Sequence, residues 1–207
     1  MSKRRNVAIY IFDDAEVLDF AGPFEVFSVT DELNDFSLFN VFTVGETMRP
    51  IRAVNGLSVN PKFDFNTCPS VDILILAGGN GTREQIKNKA VLDWIAAVHQ
   101  KTEFTLSICS GSRMLGVIGF LDDQPYCTHH QVYEAMKDIV PDGLPQIGKR
   151  FVRAGKVFTS GGISAGIDLS FHLVELLHGA AIANGTAAYM EYERERERER
   201  ERKRERK

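Results

Sequence analysis

Short apolar runs alternate with helix-like patterns along the first 192 residues of the chain. A continuous apolar run at 7–12 is typical of a strand buried on both faces of a parallel sheet, and 38–44, 72–77 and 104–108 are interpreted as further strands. Apolar residues at helical spacing predict helices after the first strand, at 91–98, 112–118 and 132–139, after 160–162, and from about 180 to 192. This alternation predicts an α/β sandwich built on a mainly parallel sheet.

Three local signals refine this pattern. Asn55-Gly56 separates two short apolar runs and predicts a hairpin with a type I′ turn, and Ala154-Gly155 joins a second hairpin between 150–153 and 156–159. Pro23 follows the first strand within a helical pattern, where its missing N–H is compatible only with a position near the helix start.

Charge divides the chain into two parts. Residues 193–207 alternate Glu with Arg or Lys and hold nine basic and six acidic residues, which leaves 16 basic and 22 acidic residues in 1–192. We therefore predict a domain at 1–192 and a charged tail at 193–207, either a helical extension or disordered. The acidic body argues against nucleic acid as a partner and favours a small, uncharged substrate.

Neither a membrane span nor a disulfide framework is expected. No apolar run approaches the ~20 residues that cross a bilayer, and the run behind the basic N-terminus ends at Asp13-Asp14, too early for a signal peptide. Cys68, Cys109 and Cys127 are an odd number without paired spacing. These features predict a cytoplasmic protein with no membrane partner.

Cys109 stands where a predicted strand turns into a helix through small residues, in Leu106-Ser-Ile-Cys-Ser-Gly111. Such an elbow exposes a nucleophile, and the amides at the helix start are expected to lower the thiol pKa and stabilise the thiolate. The alternative is a buried structural cysteine. Cys68 and Cys127 lack this context and are expected to be inert.

Two other strand ends supply polar groups near Cys109. Asp19, after the first strand, is either a helix cap or a carboxylate that exchanges protons with Cys109. Gly78-Gly79-Asn80-Gly81 follows another strand and offers backbone amides to a developing negative charge. It lacks the Lys-Ser/Thr ending of a phosphate loop, and Gly-x-Gly-x-x-Gly is absent, which argues against a nucleotide site.

His129-His130 precedes a predicted helix that carries Glu134. Two adjacent histidines do not readily face one ion, so we predict no metal site. His129 is instead a candidate partner for Cys109, because the members of a catalytic group meet in space rather than in sequence.

Five motifs together resemble the ThiJ/PfpI superfamily over nearly all of residues 6–192. They are Asp-x-x-Gly-Pro-x-Glu-Val-Phe at 19–27, Ala-Gly-Gly-Asn at 77–80, Ile-Cys-Ser-Gly at 108–111, Thr-His at 128–129 and Ser-Gly-Gly-Ile-Ser-Ala-Gly-Ile-Asp at 160–168. The resemblance implies a flavodoxin-like three-layer α/β sandwich related to class I glutamine amidotransferases, usually a homodimer. It also implies a strand–nucleophile elbow–helix with Cys109 as the nucleophile.

Within the superfamily, the motifs resemble the isonitrile hydratase branch most. The protease branch has His where Ser110 stands, and the deglycase branch has Glu where Asp19 stands. Asp19 before Gly-Pro, with a small hydroxyl residue after the cysteine, is similar to the hydratases, although their Thr is Ser110 here. The sensor domains of AraC-type regulators share the pattern, but no helix-turn-helix region follows residue 192, so DNA binding is not expected.

The resemblance implies a catalytic site without a metal or an organic cofactor. Cys109 would attack the isonitrile carbon, with Asp19 as general acid and base. The amides of Ser110 and Gly79 would hold developing charge, and the Ser110 hydroxyl would position water or Asp19. The residues expected to line the substrate pocket are Gly162, Ile163 and His129.

Two alternative functions keep Cys109 at the centre. One is a glyoxalase or deglycase acting on α-oxoaldehydes with help from His129. The other is a non-catalytic redox sensor, in which Cys109 is oxidised to a sulfinate held by Asp19 and backbone amides.

Overall fold

A computed structural model describes residues 3–194. The strands, in chain order, are β1 (Arg5–Tyr10), β2 (Phe39–Gly45), β3 (Ile51–Arg52), β4 (Ser58–Val59), β5 (Phe63–Asp64), β6 (Ile73–Leu76), β7 (Phe104–Ser107), β8 (Pro125–Tyr126), β9 (Leu144–Pro145), β10 (Phe151–Ala154) and β11 (Val157–Ser160). The helices are α1 (Val17–Glu32), α2 (Thr82–Gln85), α3 (Lys89–Lys101), α4 (Ser112–Val117), α5 (Tyr133–Ile139), α6 (Ala165–His178) and α7 (Ala180–Tyr189).

Seven strands form one central sheet in the order β10-β11-β7-β6-β1-β2-β5. Its neighbouring strands are parallel, except for the antiparallel edge pair β10–β11. Every residue of β6, β7 and β11 is buried, including the Thr and Ser residues of β7 and β11, and β6 is apolar throughout. Helices flank this sheet in a three-layer arrangement, so the predicted α/β class and mainly parallel sheet are confirmed.

The strand order reverses next to β1. The chain leaves β1 for β2 on one side and later returns to β6 on the other side. Open α/β sheets bind ligands in the crevice outside the carboxyl ends of the strands at such a reversal. The segments that follow β1, β6, β7 and β11 therefore meet at one edge of the sheet, as the sequence predicts for Asp19, Gly79 and Cys109.

Helix α1 packs against α6 and α7 on one side of the sheet. The Phe27 ring of α1 meets Phe39 of β2 edge-on at 5.0 Å, and the hydroxyls of Thr30 and Thr186 lie 3.1 Å apart. Pro23 is the seventh residue of α1, so the prediction that it lies near the helix start is wrong. The helix continues on both sides of Pro23, and it lacks one backbone hydrogen bond there because proline has no N–H.

Both predicted hairpins form, with different loops. Strands β3 and β4 pair, and Asn55 and Gly56 have positive φ of 64° and 88°. The two-residue type I′ turn is nevertheless wrong, because the loop spans residues 53–57 and the Val54 amide donates to Ala15 O at 2.9 Å instead of across the hairpin. In the β10–β11 hairpin the pairing ends at Ala154 and Val157, one residue later than predicted.

The start of the predicted tail packs on the body. Helix α7 ends at Tyr189 rather than near 192, and residues 193 and 194 are not helical. Arg194 pairs with Glu175, donates to Asn184 and lies 5.8 Å from the centre of the Phe171 ring. The predicted structure of residues 195–207 lies outside the described residues. Within residues 3–194, no helix combines the length and apolar character needed to cross a bilayer.

Shortening the chain to residue 192 should therefore destabilise the domain, whereas shortening it to residue 196 should not. The first truncation removes Arg194 and leaves the Glu175 carboxylate, which is 16% exposed, without this partner. We expect a loss of about 1–3 kcal/mol in the free energy of unfolding, measured by thermal or urea denaturation. Equal stability of the two truncated proteins would contradict this role of Arg194.

Candidate active site

Cys109 occupies a tight elbow between β7 and α4. Its φ is 55°, which is uncommon for a residue with a side chain, and its own side chain is buried. The Cys109 amide donates to Gly161 O at 3.1 Å, and the Thr128 hydroxyl donates to Cys109 O at 2.8 Å. A Cβ on Gly111 would lie 2.5 Å from Leu76 O, so the next turn has room only for glycine. These contacts hold the predicted strand–cysteine–helix elbow in place.

Asp19 lies beside Cys109 as a fully buried carboxyl group. Its Oδ2 accepts a hydrogen bond from the Gly78 amide at 3.0 Å, its Oδ1 accepts one from the Ile163 amide at 3.1 Å, and its carboxyl group also contacts the Cys109 thiol. Asp19 is the third residue of α1, and Glu16 is the N-cap. The helix-cap alternative is therefore wrong, because both carboxylate oxygens serve other segments of the chain.

Burial raises the pKa of Asp19 to about 7, and the nearby charge of Glu16 adds to this effect. The hydrogen bonds from Gly78 and Ile163 favour the ionised form and offset part of the rise. A carboxyl group with a pKa near neutrality is suited to taking up and releasing a proton at physiological pH.

The thiol of Cys109 shifts in the direction opposite to the one predicted from its elbow. Burial and the charge of Asp19 raise the Cys109 pKa to about 12, although hydrogen bonds from Ser110 lower it in part. The amides at the start of the six-residue helix α4 do not outweigh these two effects. The raised thiol pKa keeps a proton on sulfur, next to a carboxyl group whose pKa near 7 lets it accept that proton.

Gly79 and Ser110 bind each other. The Gly79 amide donates to Ser110 Oγ at 2.9 Å, and Ser110 Oγ donates to Gly79 O at 3.1 Å. The prediction that the Gly79 amide faces the substrate, with the Ser110 hydroxyl directed at water or Asp19, does not match this geometry. Ser110 also lowers the pKa of the Cys109 thiol, through both its backbone amide and its hydroxyl group.

A cavity of about 410 Å³ opens over the sulfur. It is lined by Glu16, Val54, Gly79, Asn80, Arg83, Cys109, Ser110, Arg113, His129, His130, Gln131, Val132 and Ile163. The predicted pocket residues His129 and Ile163 belong to it, and Gly162 lines an adjoining cavity of about 540 Å³ that shares both residues. Ile163 has a φ of 55°, and its backbone amide donates a hydrogen bond to Asp19. The residue type at this position does not predict that contact from the sequence.

His129 lines this cavity. Burial and the neighbouring His130 lower its pKa, and its Nδ1 accepts the Gln131 amide at 3.3 Å. A Cβ on Gly162 would lie 2.3 Å from His129 Cδ2 and 3.2 Å from Cys109 Sγ, so the ring and the sulfur are near neighbours. In the part of the chain from 3 to 194, no group of three His, Cys, Asp or Glu residues is placed to hold a metal ion.

Arg113 lines the cavity, although the sequence analysis did not predict it as a site residue. It is the second residue of α4, 7% exposed, and it donates to Thr82 Oγ1 at 3.2 Å. A signal was present in the sequence, because Arg113 is the only charged residue in the apolar stretch 112–118 and stands four positions after Cys109.

The sequence is similar to those of an isonitrile hydratase and a transcriptional regulator. An isonitrile hydratase of Pseudomonas putida is 29% identical over 187 residues, which cover 90% of this chain and 78% of that protein. The HTH-type transcriptional regulator GbdR of Pseudomonas aeruginosa is 24% identical over 92% of this chain, which spans only 51% of the regulator.

Solved structures agree on the fold. A ThiJ/PfpI family protein from Pseudomonas syringae has a TM-score of 0.83 at 24% identity, with 92% of this chain and 76% of that chain covered. Drosophila melanogaster DJ-1beta has a TM-score of 0.78 at 17% identity, with 93% and 100% covered. The model of the DJ-1/PfpI family matches residues 5–176, a range that includes the elbow, Asp19 and the sheet on which both stand. The chain belongs to the DJ-1/PfpI family.

Proposed function

We propose that this protein hydrates an isonitrile, R–NC, to the N-substituted formamide, R–NH–CHO. The observation that carries the proposal is the contact between Cys109 and the fully buried Asp19, whose raised pKa of about 7 suits a proton carrier. The similarity to an isonitrile hydratase over 90% of the chain supports the choice of reaction. Asp19, Cys109 and Ser110 are the residues assigned to it.

The first half of the reaction adds the thiol across the isonitrile carbon. Asp19 accepts the proton of Cys109, and the sulfur forms a bond to the terminal carbon of R–NC. Asp19 then returns this proton to the same carbon, which gives the thioimidate R–N=CH–S-Cys109. The Ser110 amide stabilises the negative charge on sulfur while the proton is on Asp19.

The second half consumes water. Asp19, ionised again, accepts a proton from water as the hydroxide adds to the thioimidate carbon, and it passes this proton to the nitrogen. The resulting R–NH–CH(OH)–S-Cys109 loses the sulfur as the leaving group, the hydroxyl proton returns through Asp19 to the thiolate, and R–NH–CHO is released. We assign no charge-stabilising role to the Gly79 amide, because it is bound to Ser110 Oγ.

Product identification tests this proposal. Wild-type protein is incubated separately with cyclohexyl isonitrile and with methylglyoxal, and the products are followed by chromatography and mass spectrometry, with Cys109→Ala as the blank. We expect Cys109-dependent cyclohexylformamide and no lactate above the blank. Cys109-dependent lactate without formamide would replace the proposal by the α-oxoaldehyde alternative, in which His129 beside the sulfur would assist. Neither product, together with rapid peroxide oxidation of Cys109 to the sulfinate, would favour the redox sensor.

A further inference from the structure

A buried arginine in the cavity has no carboxylate partner among the described residues. Arg113 is more than nine-tenths buried, and no salt bridge within residues 3–194 includes it. A guanidinium group has five N–H donors, and one hydrogen bond, to Thr82 Oγ1, is formed. Within the described residues, its Nε and Nη2 have no hydrogen-bond partner and are not fully enclosed, and Arg113 lines the cavity. A buried charge in this state is stabilised when an anion enters.

A second arginine borders the same space. Arg83, the second residue of α2, is exposed and lines the cavity together with Arg113. Burial lowers the pKa of Arg113, and repulsion from Arg83 lowers it further, whereas the nearby Cys109 raises it. An anion between the two guanidinium groups would relieve this repulsion. Glu16 is the only carboxylate in the cavity lining, and it does not contribute to the Arg113 pKa.

Arg113 is also fixed in position relative to the sulfur. Thr82 Oγ1 accepts its hydrogen bond and donates to Gly79 O at 2.8 Å, while the Gly79 amide binds Ser110. The guanidinium is therefore linked to the loop that borders Cys109. A fixed guanidinium binds a carboxylate more tightly than a mobile one, because less conformational freedom is lost on binding.

We propose that the substrate is an isonitrile that carries a carboxylate, bound by Arg113 and Arg83 while its isonitrile carbon lies at the Cys109 sulfur. This inference rests on the proposed hydration and replaces the uncharged substrate expected from the acidic body. The product is then an N-formylamino acid. A cavity of about 410 Å³ accommodates a small acid of this type.

Paired substrates measure the contribution of the carboxylate. The ω-isocyanoalkanoates with one to four methylenes are compared with their neutral methyl esters. We expect kcat/KM for the best acid to exceed that for its ester by about 10- to 100-fold in the wild type. Arg113→Met should bring this ratio to about one, Arg83→Met should lower it in part, and Arg153→Met, on the edge strand away from the cavity, should keep it.

A second measurement does not depend on turnover. Iodoacetate and iodoacetamide both transfer a two-carbon group to the Cys109 sulfur and release iodide, and only the first is an anion. Both alkylation rates are followed by mass spectrometry with peptide mapping. The rate with iodoacetate divided by the rate with iodoacetamide should be about 10-fold or more higher in the wild type than in Arg113→Met. Thermal unfolding checks that the variant is folded, and isocyanopropanoate should slow the alkylation more than its ester does.

The outcomes separate the two proposals. Hydration of esters and acids with equal kcat/KM would refute the carboxylate site and leave the hydratase proposal intact. No hydration of either would refute the hydratase proposal, and the alkylation ratio would still decide the anion site. An Arg113→Met variant in which both reagents react more slowly by the same factor would also overturn the inference, because Arg113 would then act on the thiolate rather than on the ligand.

Discussion

Replacing Cys109 by alanine or Asp19 by asparagine should each lower kcat/KM for isonitrile hydration by about 10³-fold or more, and the double variant should be no worse than the Cys109 variant. Both substitutions prevent the same step, which is the transfer of the thiol proton from Cys109 to Asp19. Activity is measured as formamide produced per enzyme at subsaturating isonitrile. Additive losses in the double variant would show that the two residues act in separate steps.

Asp31→Asn is the matched control for Asp19→Asn. Asp31 is a second buried carboxylate of α1, its Oδ1 accepts two backbone amides, from Leu38 and Phe39 at 2.9 Å each, and its Oδ2 pairs with Arg4. Its substitution removes a comparable buried carboxylate without touching the cavity. We expect it to lower the unfolding temperature and leave kcat/KM of the folded protein at the wild-type value. A loss of activity as large as that of Asp19→Asn would mean that the latter reflects damage to the fold.

The same pair determines the pH profile. Asp19 must be ionised to accept the thiol proton, and its raised pKa of about 7 keeps it protonated below that pH. kcat/KM of the wild type should therefore rise about tenfold per pH unit below pH 7 and level off above it. Asp19→Asn should lack this rise. A wild-type profile that falls as the pH increases from 5 to 8 would contradict ionised Asp19 as the base.

The sequence predicts the sheet well and the small strands poorly. The strands predicted at 72–77 and 104–108 become β6 and β7, because strands covered on both faces are rich in apolar residues, although β7 also buries Thr105 and Ser107. The two-residue strands β5, β8 and β9 have no such pattern, since each is held by pairing with another segment rather than by its own composition. Their positions follow from the tertiary structure alone.

The site shows the same division between backbone placement and side-chain detail. Asp19 and Cys109 could be found because each follows a strand end, and strand ends converge at one edge of a parallel sheet. The thiol pKa could not be predicted, because it depends on burial and on the distance to one carboxylate. The bond between Gly79 and Ser110 depends on a hydroxyl rotamer, and the contact of the Ile163 amide with Asp19 depends on a positive φ at a β-branched residue.

Gly78→Ala should disable the site through a single added methyl group. A Cβ at Gly78 would lie 2.7 Å from each of three atoms, namely Asp19 Oδ2, Cys109 Cβ and the Ser110 amide nitrogen. None of these can move without changing the distance between the carboxylate and the thiol. We expect kcat/KM to fall by at least about 10²-fold, since displacements of about 1 Å have effects of this size. Overpacking should lower the free energy of unfolding by about 1–3 kcal/mol.

Gly185→Ala is the control for this substitution. Gly185 lies within α7, where a Cβ would meet no atom of another described segment within 4 Å, so alanine should stabilise the helix by about 0.5–1 kcal/mol and leave catalysis unchanged. The proton on Asp19 provides a further readout. Displacing the thiol from the carboxylate should change the pH at which kcat/KM rises in any residual activity of Gly78→Ala. If Gly78→Ala keeps wild-type kcat/KM and its pH profile, the close contact of Asp19 with Cys109 is not required for the reaction.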